Sequence, residues 1–265
     1  MATRTILLDV GGTFIKCSDG RSIPINSDGT RDDIASVLRD AMAGYSSAAV
    51  AIPGPFDYDH GVFMMKHKFS AVYGECFADL CGRPKAEIRY IHDVNCMLLG
   101  EMTQENGREY RRVALVTLGT GLGFSMSIND AILKSETGSP LISIYNIPFR
   151  DGILEDYVSK RGIMRAYGSE QVSVRQIAEM ALAGDVRAHK AFEDTANIIA
   201  SAIIPLLDNY AIEALLFGGQ ISRSFSLMEP ALSKRLQIVP SLRFLGPVSD
   251  IDNATFNGLR TLAGL

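Results

Sequence analysis

Apolar residues in this chain fall into short runs closed by glycine or proline, alternating with stretches of helical spacing. Thr5–Leu8 followed by Gly11-Gly12 predicts a buried strand and a tight turn, and Phe14–Cys17 predicts the returning strand of a hairpin. Ile34, Val37, Leu38 and Ala41 recur at i, i+3, i+4, i+7 behind Asp32 and Asp33, the acidic first turn of a helix. Ala48–Ile52 predicts a second buried strand, stopped by Pro53-Gly54-Pro55. Ile88–Ile91 predicts a short strand running into His92-Asp93, with a helix over Asn95–Met102. Arg112–Leu118 is another buried run, and it ends in Gly119-Thr120-Gly121-Leu122-Gly123.

The second half is more helical. Ser173-Val174-Arg175-Gln176 has the form of a capping box, with Ile177, Met180 and Ala181 as the buried face. Asp185 caps a longer helical pattern through Phe192, Ala196, Ile199 and Ile203, and Pro205 inside that pattern predicts a kink or a boundary. Ile212–Phe217 predicts a strand ending at Gly218-Gly219, and the residues from Asn253 onward a helix. Strand, glycine turn and strand thus occur near residue 10 and again near residue 120. This points to two related α/β halves with a cleft between them. A single Rossmann-type sheet is disfavoured, because the spacings are Gly-Gly and Gly-x-Gly-x-Gly rather than Gly-x-Gly-x-x-Gly, and neither turn runs directly into a helix.

Bulk composition narrows the function classes. A chain of 265 residues holds one large domain or two small ones, and 47% hydrophobic with 21% charged residues is ordinary for a soluble globular protein. Net charge is -4 with no basic block, which argues against a nucleic-acid surface. No stretch approaches the roughly 18 apolar residues of a membrane span. Met1-Ala2-Thr3-Arg4 leads straight into a strand, so neither a signal peptide nor membrane association is expected and the expected location is cytoplasmic. Cys17, Cys76, Cys81 and Cys96 form no C-x-x-C pair, and none of His60, His67, His92 and His189 stands at metal-ligand spacing from a cysteine pair. Buried thiols are expected.

Candidate chemistry centres on the glycine turns. A phosphate needs backbone N–H groups close to it, glycine lets the main chain approach, and a neighbouring threonine adds a hydroxyl donor. Asp9 ends an apolar strand, where it is either a turn-capping carboxylate or, through water, a ligand of Mg²⁺ carried by nucleotide phosphates. Asp93 follows a strand and precedes a helix, so it is either an N-cap or a base accepting the proton of an attacking alcohol. Glu136 and Glu155 lie in polar, irregular sequence and act only if a ligand reaches them.

Together these motifs resemble the ROK group of sugar kinases, within the larger actin-like and hexokinase-like fold. Asp9-Val10-Gly11-Gly12-Thr13 resembles the first phosphate motif, and Ile52-Pro53-Gly54-Pro55 the Pro-Gly loop on the sugar side. His92-Asp93-Val94-Asn95, continuing to Gly100-Glu101, resembles the Asn-Asp-Ala-Asn catalytic segment, and Leu118–Gly123 the second phosphate motif. Glu136-Thr137-Gly138-Ser139 sits where the family has Glu-x-Gly-His, and Leu154–Ser159 matches the segment after its zinc loop. Leu216-Phe217-Gly218-Gly219-Gln220-Ile221-Ser222 resembles the adenosine-side glycine motif.

The resemblance implies an α/β protein of two actin-like (ribonuclease H-like) domains with a central cleft that closes to exclude water. The first domain would comprise residues 1–110 plus the helix 253–265, and the second residues 111–252, with hinges near Asn106–Arg112 and Ser249–Asn253. It implies ATP and Mg²⁺, with Asp9 near the metal, Gly11, Gly12, Thr13, Gly119, Thr120 and Gly121 at the phosphates, and Gly218 and Gly219 at the adenosine. Asp93 would be the base for a hexose 6-hydroxyl, as in phosphorylation of glucose or a related sugar. Gly54, His92, Asp93, Glu136, Ser139 and Glu155 would line the sugar. A homodimer is implied as well. Two departures bear on the sugar: Ser139 replaces a histidine, and His92 replaces an asparagine. Residues 137–160 contain neither Cys nor His, so no structural zinc is expected. The loop Pro140–Gly152 would instead be ordered by Ile142, Ile144, Tyr145 and Phe149. The alternative is a non-catalytic sugar or nucleotide sensor on the same fold. A DNA-binding version is disfavoured, because the first phosphate motif starts at residue 9. An unrelated α/β protein would need several coincidences in order along the chain.

Overall fold

The computed structural model describes residues 4–265. The expectation for Met1–Thr3 lies outside the described residues, as does the side chain of Asn106 in one expected hinge. The chain forms two compact units: Met1–Glu101, Lys134–Leu141 and Asp252–Leu265 make the first, and Met102–Leu133 with Ile142–Ile251 the second.

In the first unit, β1 (Thr5–Val10) turns back into β2 (Phe14–Cys17), which is followed by β3 (Ser22–Pro24). Helix α1 (Arg31–Ala41) starts at Thr30, whose hydroxyl accepts the Asp33 N–H while the Asp33 carboxylate accepts the Thr30 N–H. Then come β4 (Ser47–Ile52), the short hairpin β5 (Phe56–Asp57) and β6 (Val62–Phe63), helix α2 (Phe77–Cys81) and β7 (Ile88–His92). Helix α3 (Asp93–Glu101) begins with no intervening loop. The sheet order is β3-β2-β1-β4-β7. β1 pairs in parallel with β4, and β4 with β7, so that Asp9, Ala51 and Ile91 stand in one row.

Alternation of side chains divides this sheet into two faces. Ile6, Leu8, Val10, Val50 and Ile52 pack with Ile34, Leu38 and the buried rings of Phe56, Phe63, Phe69 and Phe77. Leu7, Ala49 and Ala51 form the other face, against Cys96 and Leu259. The small alanines let helices approach closely there.

The second unit repeats the scheme. After α4 (Glu105–Arg108), β8 (Arg112–Leu118) and β9 (Leu122–Ile128) pair antiparallel from Arg112–Ile128 to Leu118–Leu122, and β10 (Ala131–Ile132) extends the hairpin. A small ribbon of β11 (Pro148–Phe149) and β12 (Gly152–Ile153) leads into α5 (Glu155–Val158), α6 (Lys160–Tyr167), α7 (Val174–Leu182) and α8 (Val186–Asn209). β13 (Ala214–Gly218), α9 (Phe225–Leu236) and β14 (Phe244–Pro247) complete the sheet β10-β9-β8-β13-β14, with β13 parallel to both β8 and β14. In both sheets an antiparallel hairpin is followed by parallel strands. The last helix, α10 (Ala254–Ala263), belongs to the first unit and packs on α3.

Local signals act as the spacing predicts at several helix starts. Ser173 and Gln176 make the reciprocal capping bonds, and the Asp185 carboxylate accepts the Ala188 N–H at 2.9 Å. All four cysteines are buried free thiols. Of the kink or boundary expected at Pro205, the boundary does not occur: helix α8 runs through Pro205, which is exposed, so that water can serve the Ser201 carbonyl it leaves without a donor. Two expectations change. Residues 134–141 join the first unit, tied by Tyr58 N–H to the Thr137 carbonyl at 2.9 Å and by Asn95 Nδ2 to the Gly138 carbonyl at 3.1 Å. In the loop after Pro140, Ile144 is buried and Ile142 and Phe149 pack on the core, but the Tyr145 ring is 46% exposed. Tyr145 contributes its carbonyl, which accepts the Glu155 N–H at 3.0 Å.

The contact of α3 with α10 runs through two glycines. A Cβ on Gly100 would lie 2.6 Å from the Ala254 carbonyl oxygen, and a Cβ on Gly258 would overlap the Cys96 carbonyl. Cys96 Sγ donates to the Thr255 carbonyl at 3.2 Å across the same contact. Gly258→Ala is therefore expected to lower unfolding stability by about 1–3 kcal/mol, the usual cost of overpacking. Leu182→Ala, at a position 71% exposed, should change it by less than about 0.5 kcal/mol. Urea titration of the two variants beside the parent chain checks both values.

Candidate functional site

Three parallel strands of the first unit end on one edge, and each delivers a predicted motif there. β1 leads to Asp9 and the turn Gly11–Thr13, β4 to Pro53-Gly54, and β7 to His92-Asp93. Strands are spaced about 4.8 Å apart, so the Asp9 and Ile91 backbones stand roughly 10 Å apart with Ala51 between them.

The turn is built to present N–H groups. Gly11 N–H donates to the Phe14 carbonyl at 2.9 Å, which closes it. The Gly12 and Thr13 carbonyls accept from Ser27 and Ile25 N–H at 3.1 and 2.9 Å. Among the described residues nothing accepts the N–H of Gly12 or Thr13. Thr13 is exposed. Two unspent donors beside an accessible hydroxyl are what an anion needs.

Asp9 and Asp93 are perturbed in opposite directions. Asp9 is partly buried, and no hydrogen bond holds its carboxylate among the described residues. Burial first, and then the charge of Asp93, push its pKa from 3.8 to about 6, against a smaller opposing effect of Lys16. For Asp93, burial acts upward too, but it is outweighed by the charge and hydrogen bond of His92, by the Val94 N–H and by Lys68, which hold the carboxyl below its ordinary value. Val94 N–H donates to Asp93 Oδ1 at 2.8 Å, and His92 Nδ1 lies 2.9 Å from the same oxygen. The Asp93 side chain keeps 40% of its surface open to solvent, so the group is both ionised and reachable.

Gly54, His92 and Ser139 converge beside Asp93. A Cβ on Gly54 would meet His92 Cδ2, Ser139 Oγ and the Tyr58 hydroxyl, each at 3.4 Å. Tyr58 is buried, donates to the Ile52 carbonyl at 2.8 Å, and sets its ring 5.8 Å from that of His92. Burial and the Asp93 charge raise its phenol above the ordinary value, so it stays a donor. The sequence reading missed Tyr58. The only signal was its place four residues beyond Gly54. Glu136 reaches the same unit but is exposed.

In the second unit, the turn Gly119–Gly121 and the pair Gly218-Gly219 end the adjacent strands β8 and β13, with Thr117 in register with Gly218. Gly119 N–H donates to the Gly121 carbonyl at 3.0 Å, and the Gly119 side of the turn is open. Thr120 is exposed. Gly219 has φ +81° and leaves no room for a Cβ beside the Leu118 carbonyl, so only glycine fits. Glu155 lies on this turn. Its Oε2 accepts the Leu122 N–H at 2.9 Å and would be 2.8 Å from a Cβ on Gly121, and its Oε1 pairs with Arg161 at 3.1 Å.

Asp9 suits a hydrated divalent cation. It is an oxygen donor with no hydrogen bond, made unfavourable by a second carboxylate, and Mg²⁺ takes one or two carboxylates with water and phosphate oxygens. No cluster of three or more His, Cys, Asp or Glu able to hold a metal is found among the described residues.

Two α/β units, each with a glycine turn at the ends of its parallel strands, place the chain in the actin-like fold class. The profile of the ROK family matches residues 3–140 and 148–260, and the chain belongs to that family. It is 24% identical over 212 residues to an N-acetyl-D-glucosamine kinase of Salmonella newport (strain SL254), covering 72% of this chain and 70% of that protein. The fold is similar to that of a ROK family glucokinase from Streptomyces griseus in complex with glucose and AMPPNP, with a TM-score of 0.78, 20% identity, and 97% and 98% of the two chains covered. It is also similar to that of a ROK family transcriptional regulator, a homologue of the E. coli MLC protein, with a TM-score of 0.80, 16% identity, and 100% of this chain and 78% of that one covered.

The raised pKa of Asp9 has a definite consequence for stability. Folding favours its protonated form, so this contribution is complete below pH 3.8 and is lost as pH rises through about 6. Asp9→Asn should therefore raise stability by about 1–3 kcal/mol at pH 8, from roughly 1.4 kcal/mol per pKa unit, and leave it nearly unchanged at pH 4. Denaturant titrations of both chains at the two pH values check the sign.

Proposed function

We propose that this protein is a kinase that transfers the terminal phosphoryl group of ATP to the 6-hydroxyl of a hexose, with Mg²⁺ as cofactor and Asp93 as general base. The observation that carries this reading is the placement of Asp93. It is an ionised, solvent-reachable carboxylate at the same strand edge as a glycine turn with unspent N–H donors, beside the cluster of Gly54, His92 and Ser139. The names of the Salmonella relative and of the Streptomyces structural neighbour support it.

In this reading the sugar lies over Gly54, with His92, Ser139 and Glu136 at its hydroxyls and its 6-hydroxyl donating to an Asp93 oxygen. The hydroxyl oxygen attacks the terminal phosphorus, the bond from phosphorus to the bridging oxygen of ADP breaks, and the proton passes to Asp93. Phosphoryl transfer proceeds through a loose transition state, with charge spread over the phosphoryl oxygens. The proton then leaves late, and a carboxylate of low pKa suffices. Gly11, Gly12 and Thr13 offer N–H and hydroxyl donors to the transferred phosphate. Taken by itself, the second unit offers Gly119, Thr120 and Gly121 as phosphate donors, with Gly218 and Gly219 as the backbone a nucleoside could approach. Mg²⁺, when bound near Asp9, neutralises phosphate charge.

Glu155 enters this scheme differently from Glu136. Its two oxygens already serve the Leu122 N–H and Arg161, so its first role is to hold the glycine turn and a sugar contact is secondary. Ser139 offers a hydroxyl beside Gly54 where the family has an imidazole, which changes how sugar hydroxyls are recognised. No described helix is long and apolar enough to cross a membrane.

The structural likeness to a transcriptional regulator and the side chains at positions 92 and 139 favour one second reading, a sugar sensor without turnover. Incubation with ATP, Mg²⁺ and a panel of hexoses and N-acetylhexosamines separates the two. Sugar-dependent ADP release supports the kinase, whereas calorimetric binding with no release from any sugar overturns it. Asp93→Asn should cut kcat by about 100-fold or more, the usual span for a positioned base, while sugar affinity changes only a few-fold.

A further inference from the structure

The geometry points to Lys68 as the cation that grips the terminal phosphate at the first glycine turn. The motifs quoted for the family do not include this residue, and the inference rests on the kinase reading. Lys68 is partly buried, and its stem runs along the turn: Cδ lies 3.7 Å from where a Gly12 Cβ would stand, next to Ser27 Oγ at 3.3 Å. Gly12 carries no side chain, so nothing of its own separates the lysine stem from the turn.

Lys68 is held there by the main chain. The ring of Phe69 is fully buried in the core, and its backbone adopts the left-handed region at φ +53°. Phe69 N–H donates to the Ser27 carbonyl at 2.7 Å, and Ser27 N–H donates to the Gly12 carbonyl at 3.1 Å. This two-bond chain ties the segment carrying Lys68 to the turn. A left-handed residue that is neither Gly nor Asn is costly and persists where the surroundings impose it. Here it sets the direction of the preceding residue. Of the neighbouring basic residues, Lys66 lies 5.4 Å over the Tyr73 ring and His67 is exposed.

The charges around this edge leave a role for one more cation. Asp9 and Asp93 face the site, with Lys16 acting on Asp9, and His92 and Lys68 acting on Asp93. The buried Tyr58 phenol and Cys96 thiol face the same carboxylates and remain protonated. His92 Nδ1 is engaged with Asp93. Lys68 makes no ion pair with a carboxylate among the described residues. A triphosphate brought to an edge already carrying two carboxylates requires positive charge at the phosphorus that reacts. Asp93 belongs to the same unit and receives the acceptor's proton, so the phosphoryl group in the Gly11–Thr13 turn is the one transferred. The ammonium of Lys68 then binds its oxygens as a compact, mobile point charge.

Equilibrium binding tests this apart from turnover. Calorimetry with AMPPNP and with ADP, each with Mg²⁺, on the parent chain, Lys68→Met and Lys68→Arg should show AMPPNP weakened about ten-fold or more by Lys68→Met, and ADP changed less than about two-fold. Lys68→Arg should recover most of the loss. In sugar-dependent ADP release, Lys68→Met should lower kcat by about 30-fold or more with the sugar KM within about three-fold. Unchanged AMPPNP affinity in Lys68→Met overturns the proposal, and so does equal weakening of AMPPNP and ADP with a lowered melting temperature, which is the mark of a structural role. If the parent chain turns over no sugar, the kinase reading fails, while the AMPPNP-to-ADP comparison still decides Lys68.

Discussion

Two carboxylates held on one strand edge, two strands apart and without a salt bridge between them, are the constraint on which the rest of this structure depends. Burial, and then the charge of Asp93, raise the cost of ionising Asp9. Such a pair survives only if the backbone leaves no alternative. The parallel register of β1, β4 and β7 imposes the spacing, and α3 begins at Asp93 with no loop to absorb a shift. The packing of α3 on α10, with glycines at the closest points, anchors the helix that carries Asp93.

The surroundings then give the two groups different characters. His92, the Val94 N–H and Lys68 favour the ionised form of Asp93, whereas Asp9 has only Lys16 and no hydrogen bond. One carboxylate is held ionised, and the other sits where its charge is disfavoured. Environments that drive like groups apart in this way are the usual route to dividing roles between two acids. The two glycine turns are divided similarly. The first keeps N–H groups unspent, while the second is braced from behind by Glu155 and Arg161.

Much of this was legible in the residue pattern. Alternating or continuous apolar runs located the main strands, caps at Ser173 and Asp185 located helix starts, and glycines beside threonine located both turns. Tyr58, Lys68 and the bracing role of Glu155 were not legible. Each depends on partners distant in sequence: Tyr58 meets His92 and Ser139, and Lys68 meets Gly12 through Ser27 and Phe69. The Tyr145 ring stays largely exposed because apolar character is a local property, whereas burial is decided by what packs nearby.

The sequence by itself determined β1, β2, β4, β7, β8 and β13 and the glycine or acid at the ends of β1, β4, β7, β8 and β13, because these follow from hydrophobic periodicity and backbone sterics within a few residues. Only the tertiary structure decided which strand ends lie side by side, that residues 134–141 serve the first unit, and that Asp9 and Asp93 carry opposite pKa shifts. The reason is that register, burial and electric field are set by groups brought together across the sheet, and no local pattern encodes their distances.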